Sequence, residues 1–311
     1  MSIPDAALDR AAQNVPPHAW FGVSAIFHYL GPSFAVLLFP AVGVLGVAWM
    51  RIISAALIFA PFTKPWRTIL EADRRARILL IGLGTCLAIM NVAFYLALER
   101  LPMSLVAALE FVGTIGVALY GLRTGRNLAA LVLAVAGVFL LIDVRWSSDL
   151  IGLGWAALNS ALFVTYLVLG HKAAESGASS GVERLGAAMA IACVCVMPIG
   201  LADAIKTFGS ASLILAGIGV GLCSSVIPYI SDQLAMSRLP RASFALMLAL
   251  LPATATIIAA LVLAQIPSSR DILGIALVML GVAAHKSAPS RKRLPSRSAA
   301  STRAQRQIEL P

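Results

Sequence analysis

The chain has 311 residues, of which 59% are hydrophobic and only 12% charged, and its mean hydropathy is +0.89. A soluble domain carries about a quarter charged residues, so this composition excludes an ordinary soluble fold and specifies an all-α, polytopic membrane protein. The net charge of +10 does not make a nucleic-acid partner, because the basic residues lie in short loops and one tail rather than on one folded face; anionic lipid headgroups are the expected partner.

In chain order, residues 1–18 form a polar tail with Asp5, Asp9 and Arg10. No short apolar core with an A-x-A site follows, so the first apolar run is expected to stay as a membrane anchor. Crossing a bilayer takes roughly 20 residues of helix, and on that measure ten runs qualify: 20–39, 44–62, 78–97, 102–121, 127–143, 150–169, 185–202, 211–230, 242–264 and 271–285. The fifth and tenth are short. A tail at 286–311, rich in Ser, Arg, Ala and Pro, is expected to be disordered and to associate with headgroups.

Charge distribution supports keeping all ten. With both termini in the cytoplasm, 19 Lys and Arg residues fall in inner segments; Arg100, Arg145, Lys206 and Arg270 fall outside, and Arg51 lies within a span. That bias follows the positive-inside rule. Without the fifth and tenth spans, Lys172, Arg184, Arg238 and Arg241 would move outside.

The two halves also match. Arg-Leu-Pro recurs at 100–102 and 238–240, each time opening an apolar span, and ALVLAVAGV (130–138) parallels IALVMLGVA (275–283). These are read as a duplicated unit of five spans, residues 19–144 and 149–285. Five is odd, so the second unit is inverted relative to the first, the arrangement in which carriers place a substrate site between repeats near the midplane.

Glu110 is the most informative side chain. It is the one charged residue in the stretch 105–120, and a carboxylate at that depth costs at least a few kcal/mol. It binds a proton, a cation or a substrate amine, or else it is a structural carboxylate paired to Arg51. Arg51 has a fork suited to a substrate carboxylate; the competing reading is snorkelling to the headgroups. Gly84, Ala88, Asn91 and Tyr95 share one helical face, as do Val106, Ala107, Glu110, Gly113, Thr114 and Val117, and Gly221, Ser225, Pro228, Tyr229 and Asp232. Small residues on such stripes also serve close packing. Asn91 and Tyr229 align across the repeat at the offset of the Arg-Leu-Pro motif. His28 is a second protonatable candidate or a histidine hydrogen-bonded between helices. Gly31-Pro32 predicts a bend in the first helix. Trp155 and Asn159 lie one turn apart on the sixth span.

Several stretches resemble the EamA-type drug/metabolite transporters, and within them the bacterial threonine/homoserine exporters: LLFPAVGVLGVAWMRII (37–53), ALEFVGTIGVAL (108–119), IPYISDQLAMSRLPRASFALM (227–247) and LGIALVMLGV (273–282). The resemblance implies a multi-pass exporter of the bacterial inner membrane that moves small amino acids by proton antiport. Glu110, Arg51, Pro228 and Tyr229 are carried over from matching motifs. Two departures stand out: Leu251-Pro252 occupies a position where relatives commonly carry Glu-Pro, and Ala264-Gln265 one where they often carry Gly-Glu. A further departure is Thr114, at a position where the exporters often show proline. Proton coupling is thereby expected to rest mainly on Glu110. The candidate substrate and proton site is Glu110, Arg51, His28, Asn91, Tyr95, Thr114, Tyr229, Ser225, Asn159 and Trp155; Gly31, Pro32, Pro228 and Pro252 are candidate gating positions.

An alternative is the same architecture exporting purine-like metabolites or drugs, although 7% aromatic residues favour a small polar substrate over a polyspecific one. An enzyme is not expected: no HExxH occurs, and Asp143 and Asp232 fall on opposite sides of the membrane. Cys86, Cys193, Cys195 and Cys223 all lie in apolar runs without metal-ligand spacing, and neither a metal nor a cofactor is expected.

Overall fold

A computed structural model describes residues 15–121, 124–141, 149–175, 181–236, 238–239 and 247–284. The polar N-terminal tail up to residue 14, the 142–148 connection, the start of the ninth run and the basic C-terminal tail lie outside the described residues. Among those described, every regular element is helical.

The helices are α1 (Pro17–Val42), α2 (Val44–Thr63), α3 (Pro65–Glu71), α4 (Arg74–Leu98), α5 (Met103–Gly121), α6 (Gly125–Leu141), α7 (Leu150–Glu175) and α8 (Gly181–Ala204). A rod follows, made of α9 (Ala211–Gly221), a π turn (Leu222–Val226) and α10 (Ile227–Met236). Then come α11 (Leu251–Leu263) and α12 (Ser269–Ala284). Among the described residues, six segments are long and apolar enough to cross a membrane: Pro17–Val42, Val44–Thr63, Arg74–Leu98, Leu150–Gly170, Gly181–Thr207 and Ala211–Asp232. The remaining long helices are shorter or less apolar.

Each sequence-predicted run contains a helix, with two differences. Helices extend past the apolar runs where polar residues close a turn. The Asp73 carboxylate accepts from Ala76 N at 2.6 Å and caps α4, so the arginines at 74, 75 and 77 join its first turn. The second difference is α3, which apolar-run counting passes over. It follows Lys64, which holds a left-handed backbone (φ 44°), and begins at Pro65, whose fixed φ suits a first turn. Its exposed Trp66 and Leu70 beside Arg67 have the composition of a helix lying in the membrane interface.

The outer surface is apolar. Leu57 is 68% exposed and Leu261 76%. So much greasy surface is untenable in water and ordinary against lipid tails. Inside, one continuous core carries Tyr29, Leu87, Tyr95, Met103, Leu105, Met189 and Val196 among its best-buried members. A satellite cluster of Phe21, Ala25, Ala235 and Leu239 closes one end between α1 and α10.

Packing follows a regular scheme. Helix α6 lies along α12, α2 along α8, and α5 along α11. Helix α4 packs on α7 and α8, while the α9–α10 rod packs on α1 and α2. Helix α5 also packs on α7, and α11 on α1. The α6–α12 seam is close: a Cβ on Gly137 would lie 2.5 Å from Gly274 O, and one on Gly281 would lie 2.6 Å from Ala130 O. Its ends are tied reciprocally. Arg126, at the start of α6, donates from Nε to Ala284 O at the end of α12 (2.6 Å), and Arg270, at the start of α12, donates from Nη2 to Phe139 O near the end of α6 (3.5 Å). Each arginine satisfies a carbonyl that the helix end leaves without an intrahelical partner.

Candidate functional site

The site is built where α2, α4, α5, α7 and the π turn meet. Arg51 is 7% exposed, so its side chain turns inward rather than toward headgroups. Its Nε donates to Ser225 Oγ and its Nη2 to Ser224 O, both at 3.2 Å. The guanidinium carbon also lies 5.4 Å from the centre of the Tyr95 ring, a cation–π geometry. A buried cation needs such partners to offset desolvation.

The π turn explains how those partners become available. One extra residue per turn breaks the α-helical bonding pattern, so Ser224 O is presented sideways to Arg51. Two glycines allow the approach. A Cβ on Gly31 would lie 2.5 Å from Ser224 N, and one on Gly221 would lie 2.8 Å from Arg51 O. The chain thus brings α1 and α2 against the π turn with no side chain between. Helix α1 is continuous through Gly31-Pro32, although Pro32 has no N–H to bond the carbonyl of His28, and the π turn lies across from it.

Glu110, on α5, is partly buried. Among the described residues it forms no ion pair with Arg51, although the two lie within electrostatic range. Asn159 turns its amide toward the Glu110 carboxylate, yet its Nδ2 makes no hydrogen bond of standard geometry. Two more buried polar atoms nearby lack a partner: Tyr95 OH and Ser224 Oγ. Buried polar groups are normally satisfied, and these side chains put hydrogen-bonding capacity beside Arg51 and Glu110 that a polar ligand can use.

The other candidates divide. Tyr229, on α10, interacts electrostatically with Arg51 and Glu110, and His28 with Arg51, while its ring packs edge-on against Tyr29 at 5.1 Å. Tyr29 itself lies within electrostatic range of Glu110. Asn91 is buried, but its Nδ2 donates to Leu87 O of its own helix at 2.7 Å. Trp155 packs as a partly buried member of the main core. The side chain of Thr114 lies outside the described residues. Pro228 is buried on α10, and Pro252 sits buried in the first turn of α11. Gln265, where relatives often carry an acid, instead accepts from Met103 N at 3.2 Å and caps α5. Ser224 was legible only as a neighbour of Ser225; nothing in the pattern announces a π turn.

A buried arginine and a partly buried carboxylate, within electrostatic range and unpaired among the described residues, are the equipment of a carrier for a small charged solute. Comparison with known proteins agrees: the model of the EamA-like transporter family matches residues 150–284. The chain is 31% identical over 252 residues to the threonine/homoserine exporter RhtA of Salmonella typhimurium (strain LT2), which covers 80% of this chain and 84% of that protein. RhtA of Escherichia coli (strain K12) matches to the same extent. A known crystal structure aligns over 94% of this chain and 99% of its own with a TM-score of 0.58 at 16% identity, a likeness of fold alone. This chain belongs to the EamA-like transporter family, and is a multi-pass membrane transporter.

Proposed function

We propose that this protein exports small amino acids of the threonine/homoserine class from the bacterial cytoplasm by proton antiport. The observation that carries the reading is Glu110: a carboxylate on an apolar helix that no cation pairs among the described residues, within electrostatic range of an inward-turned Arg51. A zwitterion complements that pair, with its carboxylate at Arg51 and its ammonium at Glu110. The names of the RhtA relatives supply the substrate class.

The mechanism follows from the cost of burying an uncompensated carboxylate, which is several kcal/mol. Glu110 is occluded only when neutral or paired. A proton or a substrate ammonium meets that requirement, but not both at once. Protons carried inward on Glu110 are exchanged for substrate carried outward, and the empty, charged site does not cross.

The architecture proposed for this cycle is ten spans in two inverted five-helix units, 19–144 and 149–285, with both termini cytoplasmic. Helix pairings that exchange under one two-fold operation support it, as do the reciprocal arginine caps of α6 and α12. The basic tail from residue 286 is assigned to anionic headgroups of the inner membrane.

The test uses liposomes loaded with labelled threonine or homoserine. Under an imposed pH gradient, wild type accumulates label against the amino-acid gradient, and Glu110→Gln loses the pH dependence. Equal flux through both proteins would make Glu110 structural. If wild type moves neither amino acid, the substrate class falls, and purine-like metabolites and drugs are next in line.

A further inference from the structure

Asp232 is a second carboxylate that the preceding mechanism leaves unused. It lies on α10 one turn beyond Tyr229, on the same face by i, i+3 spacing. It is partly buried, and no basic side chain pairs with it among the described residues. Ser24 of α1, itself 3% exposed, directs its hydroxyl to the Asp232 carboxylate. Beyond Asp232, toward the end of α10, Ala235 joins Phe21, Ala25 and Leu239 in the cluster that closes this end of the helix bundle, with Trp20 and Leu251 packed on it.

We propose that Asp232 and Ser24 form a second proton-binding site, in series with Glu110, between the central site and the apolar cluster. The inference rests on the proton-coupled reading above. Tyr229 supplies the connection, since its phenol interacts electrostatically with Asp232 on one side and with Glu110 and Arg51 on the other. Ser24 suits both protonation states: a hydroxyl donates to a carboxylate and accepts from a carboxylic acid. The proton comes from water on the side of the apolar cluster, which the proposed topology makes cytoplasmic, or leaves to it. No covalent bond changes.

The elements packed against α10 are α1 and the π turn. Titratable groups among their described residues are His18, His28 and Tyr29 on α1 and Cys223 in the π turn. His28 interacts with Arg51 and Tyr29 with Glu110; Tyr229, on α10 itself, interacts electrostatically with Asp232. A charged Asp232 favours water at the α1–α10 interface and loosens the cluster; a protonated Asp232 lets it close. Proton release on this side is thereby linked to opening.

Two measurements on full-length protein test the proposal. The first is an infrared difference titration of substrate-free protein in lipid. A titrating carboxylic C=O band is expected that Asp232→Asn removes and Glu110→Gln leaves in place. If Asp232→Asn leaves every band, the proposal is overturned, whatever the substrate. The second compares pH-driven accumulation of threonine with counterflow at equal pH. Asp232→Asn is expected to lose driven accumulation far more severely than counterflow, and Asp232→Glu to restore it with a displaced pH profile. Equal loss of both, unrescued by Asp232→Glu in protein that still elutes as a folded species, overturns it. A wild type that moves neither amino acid sinks the proposed function instead, and the infrared band alone then decides the second site.

Discussion

Arg51 spends two of its hydrogen bonds on Ser225 Oγ and Ser224 O and its face on Tyr95. Those contacts fix the plane of the guanidinium, which is what presents the rest of the fork to a carboxylate. Lysine keeps the charge but offers a point donor with no plane. Arg51→Lys is therefore expected to raise KM about tenfold or more, the loss of one hydrogen bond to a charged group at about 1.5–3 kcal/mol. The concentration dependence of counterflow in liposomes measures it. A fall in folded yield with KM unchanged would show that Arg51 is a strut between α2 and the π turn and not a substrate ligand.

At the scale of elements, the π turn sets the register of everything after it. It joins α9 to α10 and places Ser224 and Ser225 against α2, with Tyr229 and Asp232 aligned toward the interior. Deleting Cys223, a free cysteine within the turn, would remove the extra residue, restore α-helical bonding and draw Ser224 O back into the helix, while the residues of α10 keep their phase. Arg51 would then lose the acceptor that the π turn presents to it. The deletion is expected to abolish transport, whereas Cys223→Ala, which keeps the residue count, retains it. Flux by the two variants, each checked for a monodisperse elution profile, separates register from chemistry. Transport by the deletion variant would mean that the π turn is incidental. The contact with Gly31 makes the same point from the other side: a Cβ there would meet Ser224 backbone, which cannot swing away as a side chain tip can.

For the whole molecule, much was legible in the sequence because the bilayer imposes it. A membrane-spanning helix must be long and apolar, so composition alone gave the helical class and the runs gave the elements. Glu110 and Arg51 were legible for the converse reason: a charge at that depth stands out against its neighbours. What decided their partners was not legible. Asn91 was placed on the site's face by its spacing, but the spacing gave no sign that its Nδ2 bonds back to Leu87 of its own helix. Asp232 looked like a span-end acid, yet it meets Ser24 of α1. Both outcomes depend on helix rotation and tertiary contact, which periodicity does not encode, and the π turn shifts the very phase on which periodicity relies.

The α6–α12 seam is where the global arrangement is most exposed to a single atom. Gly137 faces the backbone of Gly274, and Gly281 faces that of Ala130. Under the proposed repeat these are one contact made twice, since aligning the Gly-Val pairs at 137–138 and 281–282 places Ala130 opposite Gly274. A methyl added at either glycine meets a carbonyl oxygen that belongs to helical backbone, so the helices must part. Overpacking of this kind costs about 1–3 kcal/mol. Gly137→Ala and Gly281→Ala are therefore expected to lower thermal stability in detergent by similar amounts. Their effects should add only partly in the double variant, because a seam already opened by one methyl accommodates the second more cheaply. Melting curves of the three proteins decide it. Strongly unequal single effects, or full additivity, would mean that the two contacts are independent local packings and not halves of one two-fold seam.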